Sequence, residues 1–126
     1  MEVKLGPGVE YLHATLTGSL SLKDLLQAFE TTFDAAVGRG LRLILVDCSG
    51  LDGELSTMDR YSLGESGIAY WSSKLARLVP RIAVVGKPPV IDGFAALVAS
   101  NRGIDAQTFP ETQRALDWLG VRLSDI

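Results

Sequence analysis

Residues 41–59 read LRLILVDCSGLDGELSTMD, in which an aliphatic run is followed by acidic, glycine and hydroxyl residues. The run Leu41–Val46 is typical of a strand that is covered on both faces. Ser56 and Asp59 form a capping-box pattern, which predicts that a helix begins there. We therefore expect a strand, a loop over residues 47–57 and then a helix. Loops that follow strands carry the functional sites of α/β sheets, so this loop is the first place to look for one.

The segment before this stretch predicts a hairpin followed by a helix. Residues 3–5 and 9–17 have the length of short strands, and the turn residues Gly6-Pro7-Gly8 between them favour a hairpin. Ser21 and Asp24 form another capping-box pattern. Apolar residues then recur at helical spacing: Leu22, Leu25, Leu26, Phe29, Phe33, Ala36 and Val37.

The segment after this stretch alternates between helices and strands. Helical periodicity continues from residue 58 to residue 78, and Gly64 and Gly67 predict a bend or a break within it. Strands are then expected at residues 81–86 and 104–109, and helices at residues 92–101 and 110–119. The complete order is β-β-α-β-α-β-α-β-α, which predicts an α/β fold with a mostly parallel sheet and an antiparallel hairpin at its edge.

Composition limits the class of protein. The 126 residues are 47% hydrophobic, so we expect a single globular domain over residues 1–126. The net charge is −3 and the basic residues are scattered, which argues against nucleic-acid binding. No apolar run is long enough to span a membrane, and no signal-peptide pattern precedes the first strand. These observations predict a cytoplasmic protein without a transmembrane segment.

Four segments of the chain resemble SpoIIAA-like domains of the STAS type. They read LILVDCSGLDGELST, RIAVVG, FAALVASNRGIDAQTF and ETQRALDWL. The resemblance spans essentially the whole chain and implies a β/α superhelical α/β fold with helices packed on the sheet and no cofactor. It also implies a non-enzymatic regulatory or protein-interaction module. In relatives of this type, a serine or threonine near the start of the second helix is phosphorylated, which switches the binding of a partner kinase that controls a transcription factor.

Ser56 and Thr57 occupy the corresponding place in this chain. The signalling relatives carry an Asp-Ser-Ser-Gly-type element there, whereas this chain reads Glu54-Leu-Ser-Thr-Met58. The residues alone leave two interpretations of Ser56 open. Its hydroxyl is either the site of a regulatory phosphate or a helix N-cap, worth about 1 kcal/mol of stability.

Five further residues are candidate contacts for a protein partner or a ligand: Asp47, Ser49, Tyr61, Tyr70 and Trp71. Tyr70 and Trp71 are adjacent, so both cannot face inward from one helix. The fold group is also similar to CRAL-TRIO lipid-binding domains, which implies an alternative function as a binder of lipid or another small apolar ligand. That function predicts an apolar cavity of several hundred Å³ between the second helix and the sheet. The edge hairpin also allows a homodimer.

Catalytic and metal sites are not predicted. Asp47, Asp52, Glu54 and Asp59 follow no calcium-loop spacing, and we interpret them as solvated charges. The only cysteine, Cys48, follows the predicted strand 41–46, and the only histidine, His13, lies in another predicted strand. A nucleophilic pair would require the two side chains within hydrogen-bond reach of each other. A cysteine at the end of an apolar run is more typically a small buried residue.

Overall fold

The computed structural model describes residues 1–6, 10–73 and 79–121, and in this part the chain forms five strands and four helices. The strands are β1 (Glu2–Leu5), β2 (Leu12–Ser19), β3 (Leu43–Asp52), β4 (Arg81–Val85) and β5 (Asp105–Phe109). The helices are α1 (Leu22–Arg39), α2 (Thr57–Ser73), α3 (Phe94–Ser100) and α4 (Thr112–Leu119). The predicted order of elements is therefore confirmed.

The sheet has the strand order β1-β2-β3-β4-β5. β1 pairs with β2 in antiparallel orientation, and the other neighbours are parallel. This confirms a mostly parallel sheet with an antiparallel hairpin at one edge. The hairpin turn that we predicted at residues 6–8 lies partly outside the described residues.

Two apolar clusters cover the two faces of the sheet. One cluster joins α1, α2 and α3 to side chains such as Leu16, Val46 and Val84. The other joins α4 to Leu45 and Val85. Neighbouring strand residues alternate between the two clusters, as expected for a sheet that is buried on both faces.

β3 is longer than the sequence predicted. It continues through Asp52, so the predicted loop over residues 47–57 is wrong, and the connection to α2 is only four residues long. The reason is a β-bulge. Thr15 pairs with Asp47, but Thr17 pairs with Gly50, so β3 contains one more residue than β2 over this interval. The strand therefore keeps its pairing while its polar residues interrupt the apolar pattern that we used to define its end.

α2 is continuous, so a break at Gly64 or Gly67 is wrong, and a bend there stays a prediction. Gly64 is buried where α2 crosses α3. A Cβ atom at this position would lie 2.7 Å from the Ala95 carbonyl oxygen and 2.8 Å from Val98 Cβ. Packing between the helices thus requires the small residue and keeps the helix unbroken there, which outweighs the low helix propensity of glycine.

The helix starts agree with the sequence for the first two helices and differ for the last two. Ser21 Oγ accepts a hydrogen bond from the Asp24 N–H at 3.2 Å, as the capping box predicted. α3 is shorter than expected, with Gly93 as its N-cap, although Asp92 Oδ1 still accepts from the Phe94 N–H at 3.0 Å. α4 begins at Thr112, two residues after Pro110.

Candidate functional site

The exposed chain at the start of α2 forms what we call the α2-entry surface, residues 52–54 and 56–58. Leu55, between these two groups, is only 6% exposed and packs in the core, which fixes the segment to the domain. Ser56 caps the helix, since its Oγ accepts from the Asp59 N–H at 3.1 Å. Ser56 is therefore an N-cap, but the Ser56 and Thr57 side chains remain exposed to solvent, so a phosphate at either residue stays a prediction.

Met58 gives the α2-entry surface an apolar centre. Its side chain is 71% exposed, which is more than any other exposed large apolar residue in the described part of the chain. Burying a methionine stabilises a protein by about 1.5–3 kcal/mol, so leaving one this exposed forgoes a substantial contact. A residue of this kind beside two hydroxyl side chains is available to a partner.

The charge of the α2-entry surface is negative. Asp52 and Glu54 are both exposed within it. Arg60 follows the surface in sequence but is bound elsewhere. Its Nη1 donates to Asp92 Oδ2 at 2.8 Å, and its Nη2 donates to the Pro89 carbonyl oxygen at 2.6 Å. The guanidinium is thus occupied by the β4–α3 connection, and the acidic side chains are left to define the local field.

Asp47 and Ser49 lie at the β-bulge of β3 and bond to each other. Asp47 Oδ1 accepts from the Ser49 N–H at 3.0 Å and from the Ser49 hydroxyl at 2.6 Å. Asp47 alternates along the strand with Val46 and Cys48, which pack beneath α1, α2 and α3, so Asp47 lies on the α4 face. The structure therefore separates it from α2, which packs on the other face. Asp47 and Ser49 stay predictions as partner contacts.

The three candidate aromatic residues of α2 lie in different environments. Trp71 is only 6% exposed and meets the Phe33 ring edge-to-face at 5.4 Å, so it belongs to the core. This corrects the expectation that Trp71 contacts a partner or a ligand. The half-buried Tyr70 donates from its hydroxyl to Asp34 Oδ1 at 2.8 Å, which ties α2 to α1. Both residues thus face α1.

Tyr61 is held from the opposite side, by the chain that follows α3. Arg102 donates to the Tyr61 hydroxyl at 2.9 Å, and its guanidinium carbon lies 5.4 Å from the centre of the Tyr61 ring. Glu65, one helical turn further along α2, forms an ion pair with Arg102 at 3.5 Å. Tyr61 remains partly exposed and stays a candidate contact residue.

The geometry of Cys48 and His13 excludes a nucleophilic pair between them. Cys48 packs beneath α1, α2 and α3. His13 alternates with Leu12 of the same cluster and therefore points to the other face of the sheet. Burial, assisted by the negative charge of Asp47, raises the pKa of the Cys48 thiol to about 12. The thiol is therefore protonated at neutral pH, which disfavours nucleophilic chemistry.

Among residues 1–6, 10–73 and 79–121, no group of three histidine, cysteine, aspartate or glutamate side chains is placed to hold a metal ion. In the same residues, no helix has the length and apolar composition required to cross a bilayer.

Two solved structures share this arrangement of strands and helices. An anti-sigma factor antagonist from Mycobacterium paratuberculosis superposes with a TM-score of 0.62 at 16% identity, over 94% of this chain and 93% of that one. The chain adopts the STAS fold. The anti-sigma factor antagonist SpoIIAA in its unphosphorylated form superposes with a TM-score of 0.51 at 14% identity, over 94% of this chain and 98% of that one. No family model and no curated protein matches the sequence. At these identities, the likeness establishes the fold that the resemblance predicted.

The STAS fold of this chain also contains an apolar cavity between α2, α3 and the sheet. Its volume is about 80 Å³. Its wall includes Phe33, Cys48, Leu63, Ile91 and Ala99. The cavity lies where we expected one for a ligand, but its volume is below the several hundred Å³ that we expected for a lipid binder.

Three features of this structure were missed by the sequence analysis. The exposure of Met58 was missed because Met58 begins the apolar helical pattern over residues 58–78, and apolar residues in such a pattern are expected to be buried. The contacts of Arg60 and Arg102 were missed because they join residues 32 and 41 positions apart in the sequence. A local pattern carries no signal for such pairs.

Proposed function

We propose that this chain is a non-enzymatic regulatory module that binds another protein through the α2-entry surface. The observation that carries the proposal is the 71% exposure of Met58 next to the exposed hydroxyls of Ser56 and Thr57. The STAS fold adds support, because the two similar solved structures are anti-sigma factor antagonists. We therefore propose a partner of the anti-sigma factor class.

The chemistry of the α2-entry surface indicates what its partner presents. Met58 is flexible and polarisable, and methionine adapts well to apolar surfaces of different shapes. Asp52 and Glu54 add negative charge around it. A partner surface with an apolar depression and basic side chains around it would be complementary in both respects. The acidic residues would mainly raise the association rate, and Met58 would contribute buried area.

Phosphorylation of Ser56 or Thr57 is the proposed means of regulation. A phosphate there would lie at the N-terminus of α2, where the helix dipole favours negative charge, so the domain tolerates it. The same phosphate would place strong negative charge beside Met58 and Glu54. Binding would then require its desolvation next to an apolar contact, so phosphorylation is expected to release the partner.

The test of the proposed function compares variants in quantitative affinity capture from a lysate of the source organism. Met58→Glu places a charge at the apolar centre of the surface. Ser56→Asp adds a charge and keeps the helix capped, since aspartate is as good an N-cap as serine. The matched control is Val37→Glu. Val37 is 36% exposed and lies near the end of α1, at the end of the sheet opposite to the start of α2.

The proposed function predicts a protein that wild type and Val37→Glu retain equally. Met58→Glu should lose that protein, and Ser56→Asp should bind less of it. If wild type and Met58→Glu capture the same proteins in the same amounts, the α2-entry surface is not the binding site and the proposal fails.

A further inference from the structure

The apolar cavity beneath α2 and α3 has no role in the proposed protein interaction. It is lined by side chains from three helices and the sheet, together with Val90 and Ile91 of the β4–α3 connection, and it is partly open to solvent. Small residues in the helices leave the space unfilled: Gly67, Ala95, Ala96 and Ala99. The cavity is therefore a consequence of glycine and alanine at positions where larger apolar residues would have filled the core.

The packing of α2 on α3 keeps the cavity open. At Gly64 the two helices are already so close that a Cβ atom would overlap the Ala95 carbonyl oxygen, at 2.7 Å. The helices cannot approach further to fill the space, because their backbones are in contact at this crossing. At Gly67, which also lines the cavity, a Cβ atom would meet only Phe33 Cε2 at 3.9 Å.

The polar groups in the cavity wall offer no unpaired charge to a ligand. The Cys48 thiol is neutral, because its pKa is raised to about 12. The Arg60 side chain is only 12% exposed and is paired with Asp92 and with the Pro89 carbonyl oxygen. A carboxylate or phosphate ligand would have to separate this ion pair, and breaking one partner away from a largely buried pair is costly.

We propose that this cavity binds a small neutral hydrocarbon or the hydrocarbon end of a small neutral molecule. The apolar wall offers few polar partners to water, which favours the replacement of water by an apolar ligand. The volume of about 80 Å³ is smaller than the ~150 Å³ of an apolar cavity that accommodates benzene. The ligand is therefore smaller than benzene and held by dispersion contacts with the aliphatic and aromatic wall.

The β4–α3 connection forms part of the wall of this cavity. Arg60, Asp92 and Gly93 all line it, and the Asp92 side chain is 36% exposed, so this part of the wall is next to solvent. Arg60 reaches across from α2 and bonds to both Pro89 and Asp92.

Xenon is the probe for this site, because it is neutral, apolar and small. The full chain is labelled with ¹⁵N, and amide chemical shifts are followed as xenon pressure rises. We expect saturable shifts at the amides of Gly64, Ala96 and Ala99, which line the cavity. Propionate is similar in size but charged, and it should leave the same amides unshifted. Failure of xenon to shift them, or equal binding of propionate, would overturn the proposal.

Ala96→Leu places additional carbon atoms in the cavity and should lower xenon affinity by roughly tenfold or more. Ala69→Leu makes the same change at an exposed position of α2 and should bind xenon as wild type does. Gly67→Leu is a second filling variant, for use if Ala96→Leu does not fold. Undiminished xenon binding in a folded filling variant would contradict the assigned site.

Met58→Glu separates this proposal from the proposed protein interaction. Met58 is exposed and does not line the cavity, so the variant should bind xenon normally even though it is expected to lose the protein partner. Loss of xenon binding in folded Met58→Glu would contradict the assignment of the two functions to separate sites.

Discussion

Alanine at two glycines of α2 should change stability in opposite directions. Gly64 and Gly67 lie in the same helix, one turn apart, and neither has a positive φ. Replacing glycine by alanine in a helix gains about 1 kcal/mol from propensity at either position. The two positions differ in what the new methyl group meets. The difference between the variants therefore measures the packing of α2 against α3.

At Gly64, the new Cβ atom would lie 2.7 Å from the Ala95 carbonyl oxygen and 2.8 Å from Val98 Cβ. Optimal carbon contacts are at ~3.5–4.0 Å, so the helices must separate by nearly 1 Å. Overpacking of this kind costs about 1–3 kcal/mol, and contact with a backbone atom favours the upper half of that range. After the gain in propensity, Gly64→Ala should destabilise the protein by about 1–2 kcal/mol.

At Gly67, the new Cβ atom would meet Phe33 Cε2 at 3.9 Å, an ordinary van der Waals contact. Gly67→Ala should therefore stabilise the protein by about 0.5–1 kcal/mol. Urea denaturation followed by circular dichroism gives both values, provided that the slopes match that of wild type. A Gly64→Ala variant as stable as wild type would refute the close helix crossing. A destabilised Gly67→Ala variant would refute the open space beside Phe33.

Three further predictions concern individual contacts. Ser56→Ala should lower the free energy of unfolding by about 0.5–2 kcal/mol, and Ser21→Ala should lower it by a similar amount because it removes an equivalent cap from α1. An unchanged urea midpoint for either variant would show that its serine does not cap the helix. Arg60→Ala should lower the free energy of unfolding by about 1–3 kcal/mol, because it leaves Asp92 and the Pro89 carbonyl group without their donor. A near-neutral effect in thermal or urea unfolding would show that these two hydrogen bonds contribute little to stability. The raised pKa of the Cys48 thiol means that the folded protein keeps this proton more tightly than the unfolded chain, so the free energy of unfolding should fall as pH rises above 9.0 toward about 12. Cys48→Ala should make the fall less steep, and identical pH profiles of wild type and variant would exclude a contribution from Cys48.

The sequence predicted those features of the fold that depend on local patterns. The turn residues before β2, the aliphatic run of β3 and the capping serines at residues 21 and 56 each act within a few residues of their own position. Alternation of strands and helices then restricts the topology, because parallel neighbours require crossover connections. The mostly parallel sheet and the edge hairpin followed from these signals.

The errors occur where distant residues override a local pattern. β3 continues past Asp47 because β2 pairs with it through a bulge, and nothing near Cys48 or Ser49 marks the extra residue. α2 remains unbroken at Gly64 because α3 packs there. Local composition therefore located the connection between β3 and α2 but overestimated its length.

The candidate site was predicted only in part, for the same physical reason. Ser56 and Thr57 were found because a helix start has a local pattern. The exposure of Met58 and the attachment of Arg60 to Asp92 depend on how α2 lies on the rest of the domain. The core position of Trp71 depends on its contact with Phe33 of α1, 38 residues earlier in the sequence.

Site-specific cross-linking in cells of the source organism tests most directly whether the α2-entry surface binds a partner. A photo-crosslinking amino acid is placed at position 58 in one version of the chain and at position 37 in another. We expect position 58 to cross-link to one discrete protein and position 37 not to cross-link to it. Adding Ser56→Asp should reduce the amount of the cross-linked protein. No cross-link from position 58, or the same cross-linked protein from both positions, would contradict the claim that the α2-entry surface binds a partner.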